Sequence, residues 1–134
     1  MSLAKWLAPA LLAPALIAPM APLATAADVN ATPIGTWQLS TGESRFDVNY
    51  CDGGAKICAR LTWLRADART PENLAYLNRL VVTAAPEATN AWHGTVVYDG
   101  HEYSGSVQML SENSLRLSGC QGIFCKTMTL TRLV

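Results

Sequence analysis

The sequence predicts an all-β protein, a small antiparallel up-and-down β-barrel of about eight strands with one short helix between the third and fourth strands. Three observations carry this. Short segments alternate apolar and polar residues, as half-buried strands do. Clusters of Gly, Asn, Asp, Ser or Pro separate them. Only one stretch shows helical spacing. The expected strands are residues 34–40, 44–51, 57–65, 80–84, 91–99, 101–110, 114–120 and 125–133. Eight consecutive antiparallel strands with one apolar face each can close on themselves, which removes exposed sheet edges. A two-sheet sandwich is the competing architecture.

The helix is expected after Thr70, which suits a cap, with Pro71 at the first helical position and Leu74, Leu77 and Val81 at helical spacing. That pattern predicts two turns. Thr41-Gly42-Glu43, residues 86–90, Asp99-Gly100 and Ser111-Glu112-Asn113 read as hairpin turns, Asp-Gly being the strongest of them. Pairing strands two and three sets Cys51 opposite Cys58, Val48 opposite Leu61 and Phe46 opposite Trp63. Pairing the last two sets Cys120 opposite Cys125, with Leu117 facing Met128 and Leu115 facing Leu130. Both hairpins put cystines outside and apolar residues inside. The Asp-Gly turn pairs Tyr98 with His101, Val96 with Tyr103, Gly94 with Gly105 and Trp92 with Val107; the facing glycines are expected to leave room inside.

Residues 1–26 carry one cation, Lys5, then an Ala, Leu and Pro run ending in the small residues Ala24-Thr25-Ala26. This pattern predicts a secretory signal peptide. Pro9, Pro14, Pro19 and Pro22 interrupt the run, so a spanning helix is the weaker reading, and no cysteine near the cleavage site offers a lipid anchor. Residues 27–134 then form a single domain with one core. Without Lys5, nine Lys and Arg face ten Asp and Glu. That balance lacks the basic excess a nucleic-acid or membrane-surface partner would need, so neither is expected, and the lack of a cysteine at the cleavage site predicts no membrane anchor. It is silent on oligomeric state.

Four cysteines allow three pairings. In an exported chain the local pairing, Cys51 with Cys58 and Cys120 with Cys125, is favoured because each pair brackets a turn, and each bridge contributes about 2 to 2.5 kcal/mol by loop closure. Zinc is the rival, but the six- and four-residue gaps suit the usual zinc knuckles poorly. No metal or other cofactor is expected.

If the barrel closes, Trp37 in the first strand and Arg132 in the last fall at the same end of adjacent strands and both point inward. A guanidinium stacked on the indole would plug that end, making Trp37 and Arg132 structural residues. Gly35-Thr36-Trp37 together with Arg132 resembles the signature of lipocalins, avidins and related calycin barrels. The ordered set of Gly35-Thr36-Trp37, Cys51, Cys58, Trp63-Leu64, Trp92 with Gly94, Val97-Tyr98-Asp99-Gly100, Tyr103, Gly119-Cys120, Cys125 and Thr131-Arg132 resembles the bacterial family called domain of unknown function 2147. The family's Asp and Asn-Pro loop after the third strand has no clear counterpart in residues 66–79. The resemblance implies an exported, lipocalin-like barrel, periplasmic or secreted, and supplies no catalytic residues.

With one end plugged, the other is the mouth. Phe46, Trp63, Tyr98, His101 and Lys126 are the expected ligand-binding residues there, with the helix as a lid. Aromatic walls with a few polar groups suit a small, partly apolar ligand. A filled barrel acting as a structural or protein-interaction domain of the envelope is the alternative. His93 and His101 face opposite ways, which disfavours a shared metal, and no nucleophile motif accompanies His101. The acids offer no inward pair for glycoside chemistry. The sequence therefore predicts a binding protein with no enzyme activity.

Overall fold

A computed structural model describes residues 32–98 and 100–134. The expected signal peptide, residues 1–26, lies outside them. Eight strands follow one another: β1 (Gly35–Leu39), β2 (Ser44–Cys51), β3 (Lys56–Leu64), β4 (Leu80–Ala88), β5 (Ala91–Tyr98), β6 (His101–Ser111), β7 (Ser114–Gln121) and β8 (Phe124–Arg132). Each pairs antiparallel with the next, and β1 pairs with β8, so the sheet closes into a barrel. The predicted fold class is the observed one.

Period-two alternation builds the core. Trp37, Val48, Ile57, Ala59, Leu61, Val82, Val96, Val107, Met109, Leu115 and Leu130 are buried and pack as one cluster. Their strand neighbours face outward, among them Ser104, Ser106, Arg116, Ser118, Thr127 and Thr129, with Ser118 Oγ and Thr127 Oγ1 3.2 Å apart. An apolar interior and a hydroxyl-rich exterior invert the pattern of a membrane-spanning barrel, whose lipid face is the apolar one. Among the described residues, no helix is long and apolar enough to cross a membrane.

Closure is made by Trp37 and Arg132, which sit directly opposite each other on β1 and β8. The Arg132 guanidinium lies 4.3 Å above the Trp37 ring. Its Nε donates to the Glu112 carbonyl, Nη1 to the Ile34 carbonyl and Nη2 to the Thr32 carbonyl, at 2.9, 2.7 and 2.6 Å. Trp37 is 0% exposed, and its Nε1 donates to the Pro33 carbonyl at 2.9 Å. Gly35 makes this possible, because a Cβ there would stand 2.7 Å from Arg132 Nη1. Its φ of +144° also suits glycine.

The facing glycines do a different job from the one expected. A Cβ on Gly94 would strike the Thr83 carbonyl and the Ala84 backbone, and one on Gly105 would strike the Val96 side chain. Missing side chains here do not open a hollow. They let β4, β5 and β6 curl tightly, and Val96 fills the space over Gly105.

Four local readings are corrected. Cys51 pairs with Lys56 and Cys58 with Asn49, so the first cystine runs diagonally, with Cα atoms 5.9 Å apart. The register differs from the direct-opposition reading by two residues, which keeps every side chain on its expected face until a bulge at Thr62. Beyond the bulge Trp63 pairs with Arg45, and Leu64 takes the inward place beside Ser44. Strand β4 runs through Pro86 to Ala88, where the sequence suggested a turn, because a register irregularity between Pro86 and Ala88 tolerates the missing N–H. The helix, α1 (Pro71–Leu74), is one turn long rather than two, with Thr70 Oγ1 accepting from the Asn73 N–H at 3.2 Å. Val81 belongs to β4 at an irregularity of its pairing with β3 and is buried there. The last hairpin matches expectation throughout, with Cys120 opposite Cys125 and bonded to it.

Two outcomes are predicted. Arg132→Lys keeps the charge but cannot reproduce a fork that reaches three carbonyls, and should lower stability by about 2 kcal/mol, or roughly 10 °C in Tm. A thermal melt equal to the parent's would show that the fork is dispensable. Gly94→Ala should cost about 1–3 kcal/mol through overpacking against β4, read from urea midpoints.

Candidate functional site

The turns fall into two sets at opposite ends of the barrel. Those after β2, β4 and β6 share the sealed end with Arg132 and both described termini. Those after β1, β3, β5 and β7 surround the other end, which is open.

Beneath the open end lies a cavity of about 140 Å3, walled by Phe46, Leu61, Val82, Val96, Leu117 and Met128. Ser44, Asn73 and Tyr76 add polar groups to its lining. Below it, Phe46 and Leu117 also border a wholly apolar floor of about 40 Å3, closed in by Val48, Ile57, Val107 and Leu115. Above it, a shallow groove of about 410 Å3 runs past Leu39, Thr41, Glu43, Tyr98, Lys126 and Met128. The site therefore grades from dry to wet along the barrel axis.

The β3–β4 connection forms one wall of the cavity. It begins with a 3-10 turn at Ala66–Ala68 and continues through α1. Ala68 is buried, and Tyr76 and Leu77 pack on the core. The Asn73 side-chain amide donates to the Ala68 carbonyl at 2.8 Å, which joins the two short helical pieces. Arg65 ties the segment to the neighbouring rim. Its Nη1 donates to the Thr41 carbonyl at 3.0 Å, while Nε and Nη2 grip the two oxygens of Asp67 at 2.6 and 2.9 Å. The hydrogen bond from Arg65 holds the Asp67 carboxyl below the usual carboxylate range. The same bond raises Arg65.

The expected ligand residues divide. Phe46 lines both the cavity and its floor. Tyr98 and Lys126 meet at the rim, with Lys126 Nζ 4.9 Å from the Tyr98 ring centroid. Trp63 does not face the interior. The bulge turns it to the outer surface, where the Arg45 guanidinium covers it at 4.3 Å and Arg45 Nε donates to Gln38 Oε1. His101 pairs with Tyr98 as expected, but its ring is exposed, lies edge-on to Tyr103 at 6.4 Å, and is not among the residues lining the cavity, its floor or the groove above. His93 stands on the outer face, its Nε2 3.2 Å from Ser104 Oγ. Among the described residues, no three His, Cys, Asp or Glu side chains converge as metal ligands would.

Leu117, Val96 and Met128 were legible as inward residues but not as cavity walls. Asn73, Tyr76 and the Arg65–Asp67 clamp carried no periodic signal, since they lie in an irregular connection.

The clamp generates a prediction. A carboxyl whose folded pKa is depressed supports the fold above its usual titration range and loses that support as pH falls through the lowered value. Asp67→Asn at neutral pH, or acidification of the parent, should therefore speed amide exchange across residues 66–77. The global melt should barely move at neutral pH, because the pair is solvent-exposed.

A redesigned β-barrel of solved structure superposes with a TM-score of 0.49 at 13% identity, over 75% of this chain and 91% of that one. No curated protein matches the chain. The family described as "Uncharacterized protein conserved in bacteria (DUF2147)" matches residues 35–132. That stretch runs from the glycine that admits the closing guanidinium to the arginine that supplies it, and the chain belongs to the DUF2147 family.

Proposed function

We propose that this protein is an exported barrel, periplasmic or secreted, that binds a small, partly apolar ligand at its open end and performs no catalysis of its own. Two disulfides in a chain of this size suit a compartment outside the cytoplasm. The observation that carries the binding reading is the graded cavity under the β3–β4 connection, apolar at its floor and polar at its rim. Its volume bounds the guest. A dry cavity of about 150 Å3 holds a molecule of benzene size, so the buried part of the ligand is one ring or a chain of about six carbons. Lys126 and Tyr98 at the rim suit a polar or anionic head. The two histidines stand apart from the cavity, which supports binding without chemistry.

The small floor favours a second reading, a filled barrel serving as a structural or protein-interaction domain of the envelope. At about 140 Å3 the cavity falls below the few hundred Å3 of pockets for drug-sized ligands.

Native mass spectrometry of protein purified from its own host separates the two, with a bound small molecule expected on the first. Leu117→Trp, which projects an indole into the cavity, should weaken an apolar fluorescent probe at least about tenfold, while the volume-conserving Leu117→Met should stay within about twofold. Ligand-free protein in repeated preparations, with no probe response from the parent, would leave the filled barrel as the better account.

A further inference from the structure

The turn between β7 and β8 presents two large apolar side chains to solvent at the open end. Ile123 is 90% exposed and Phe124 76%. They sit at the tip of a hairpin that Cys120 and Cys125 close covalently, with Gly122 at φ +62° turning the chain between them and β7. The cystine thus closes the hairpin covalently at the base of the turn, and the two apolar side chains at its tip stand in solvent. Along residues 117–131 the only charged side chain is Lys126, so no carboxylate stands on the hairpin to repel an anionic surface.

The shape of this feature points to one kind of partner. Two side chains on a convex tip offer far less than the roughly 800 Å2 per partner that a specific protein interface needs. A second copy meeting it tip to tip would bury equally little. A fluid lipid bilayer needs no complementary surface, accepts an apolar wedge a few ångströms deep, and leaves the ammonium of a flanking lysine at headgroup level. We propose that the Ile123–Phe124 tip inserts into the surface of a lipid bilayer and docks the barrel with its mouth toward the membrane. The described N-terminal residues emerge at the opposite end, beside Arg132. Attachment is reversible, since two side chains and one cation make a weak anchor. It does not depend on the cavity being occupied.

The test is flotation of the processed protein, recovered from the periplasm of an expressing bacterium, with vesicles of phosphatidylcholine alone or mixed with phosphatidylglycerol. The parent should float with both, up to about fivefold better with the anionic mixture because of Lys126. The double variant Ile123→Ser/Phe124→Ser should lose at least about tenfold in partitioning. Tyr50→Ser, which alters an exposed ring at the sealed end, should float like the parent. A second readout is Phe124→Trp, whose added emission should be quenched by lipids brominated along their chains. The proposal is overturned if the parent stays with the unbound fraction for both vesicle types, if the double variant floats as well as the parent, or if the tip proves to drive self-association without vesicle binding. Binding of an apolar probe in vesicle-free buffer should be equal in parent and double variant, so failure here is distinguishable from failure of the ligand reading.

Discussion

The stack of Arg132 on Trp37 is the contact on which the rest of this barrel depends. A sheet of eight strands becomes a barrel only if its first strand finds its last, and that pairing spans nearly the whole chain. The loop-closure cost of such a contact is high and comes before any reward. Here the reward is concentrated. One guanidinium covers the indole, reaches three carbonyls beyond the strand ends, and ties together β1, the β6–β7 turn and the chain entering the domain. Because its hydrogen bonds go to backbone carbonyls, the side chains around it matter less than the path of the chain. Gly35 is the exception, since it clears the space the guanidinium occupies.

That closure makes the molecule polar in the geometric sense. One end is stoppered by the largest fully buried side chain, Trp37, and the other is roofed only by a one-turn helix and its connections. Any cavity must therefore open toward the turns after β1, β3, β5 and β7. The tight curl of β4, β5 and β6 at Gly94 and Gly105 then limits its size, since strands drawn close leave little lumen. The cystines mark the two ends separately: Cys51–Cys58 staples the sealed end, and Cys120–Cys125 the rim beside the mouth.

Much of the site was legible because alternation survives a two-residue slip. Placing Cys51 directly opposite Cys58 misplaced every partner in that hairpin, yet Phe46, Val48 and Leu61 still faced inward, since a shift of two returns each side chain to its own face. A shift of one does not. The extra residue at Thr62 is such a shift, and it carried Trp63 from the expected wall to the outer surface under Arg45. Nothing in the stretch Leu61-Thr62-Trp63-Leu64 announces a bulge, because both Trp63 and Leu64 are apolar enough to be the inward residue. His101 illustrates a different limit. Its partner, Tyr98, was identified, but a rim residue's facing says little about whether its ring reaches the cavity.

By itself the sequence determined the strand positions and the facing of almost every strand residue, and it favoured the two local cystines and, given closure, the pair Trp37 and Arg132. The strands and cystines follow from period-two patterning, turn chemistry and short-range spacing, which are local quantities; the closing pair follows from the same facing only once first and last strands meet. Only the tertiary structure decided how much space the interior keeps, which apolar residue a bulge sends outside, and how the β3–β4 connection is clamped to the rim. Those depend on strand curvature and on contacts between segments with no periodic relation, where the outcome is set by how neighbours fit together.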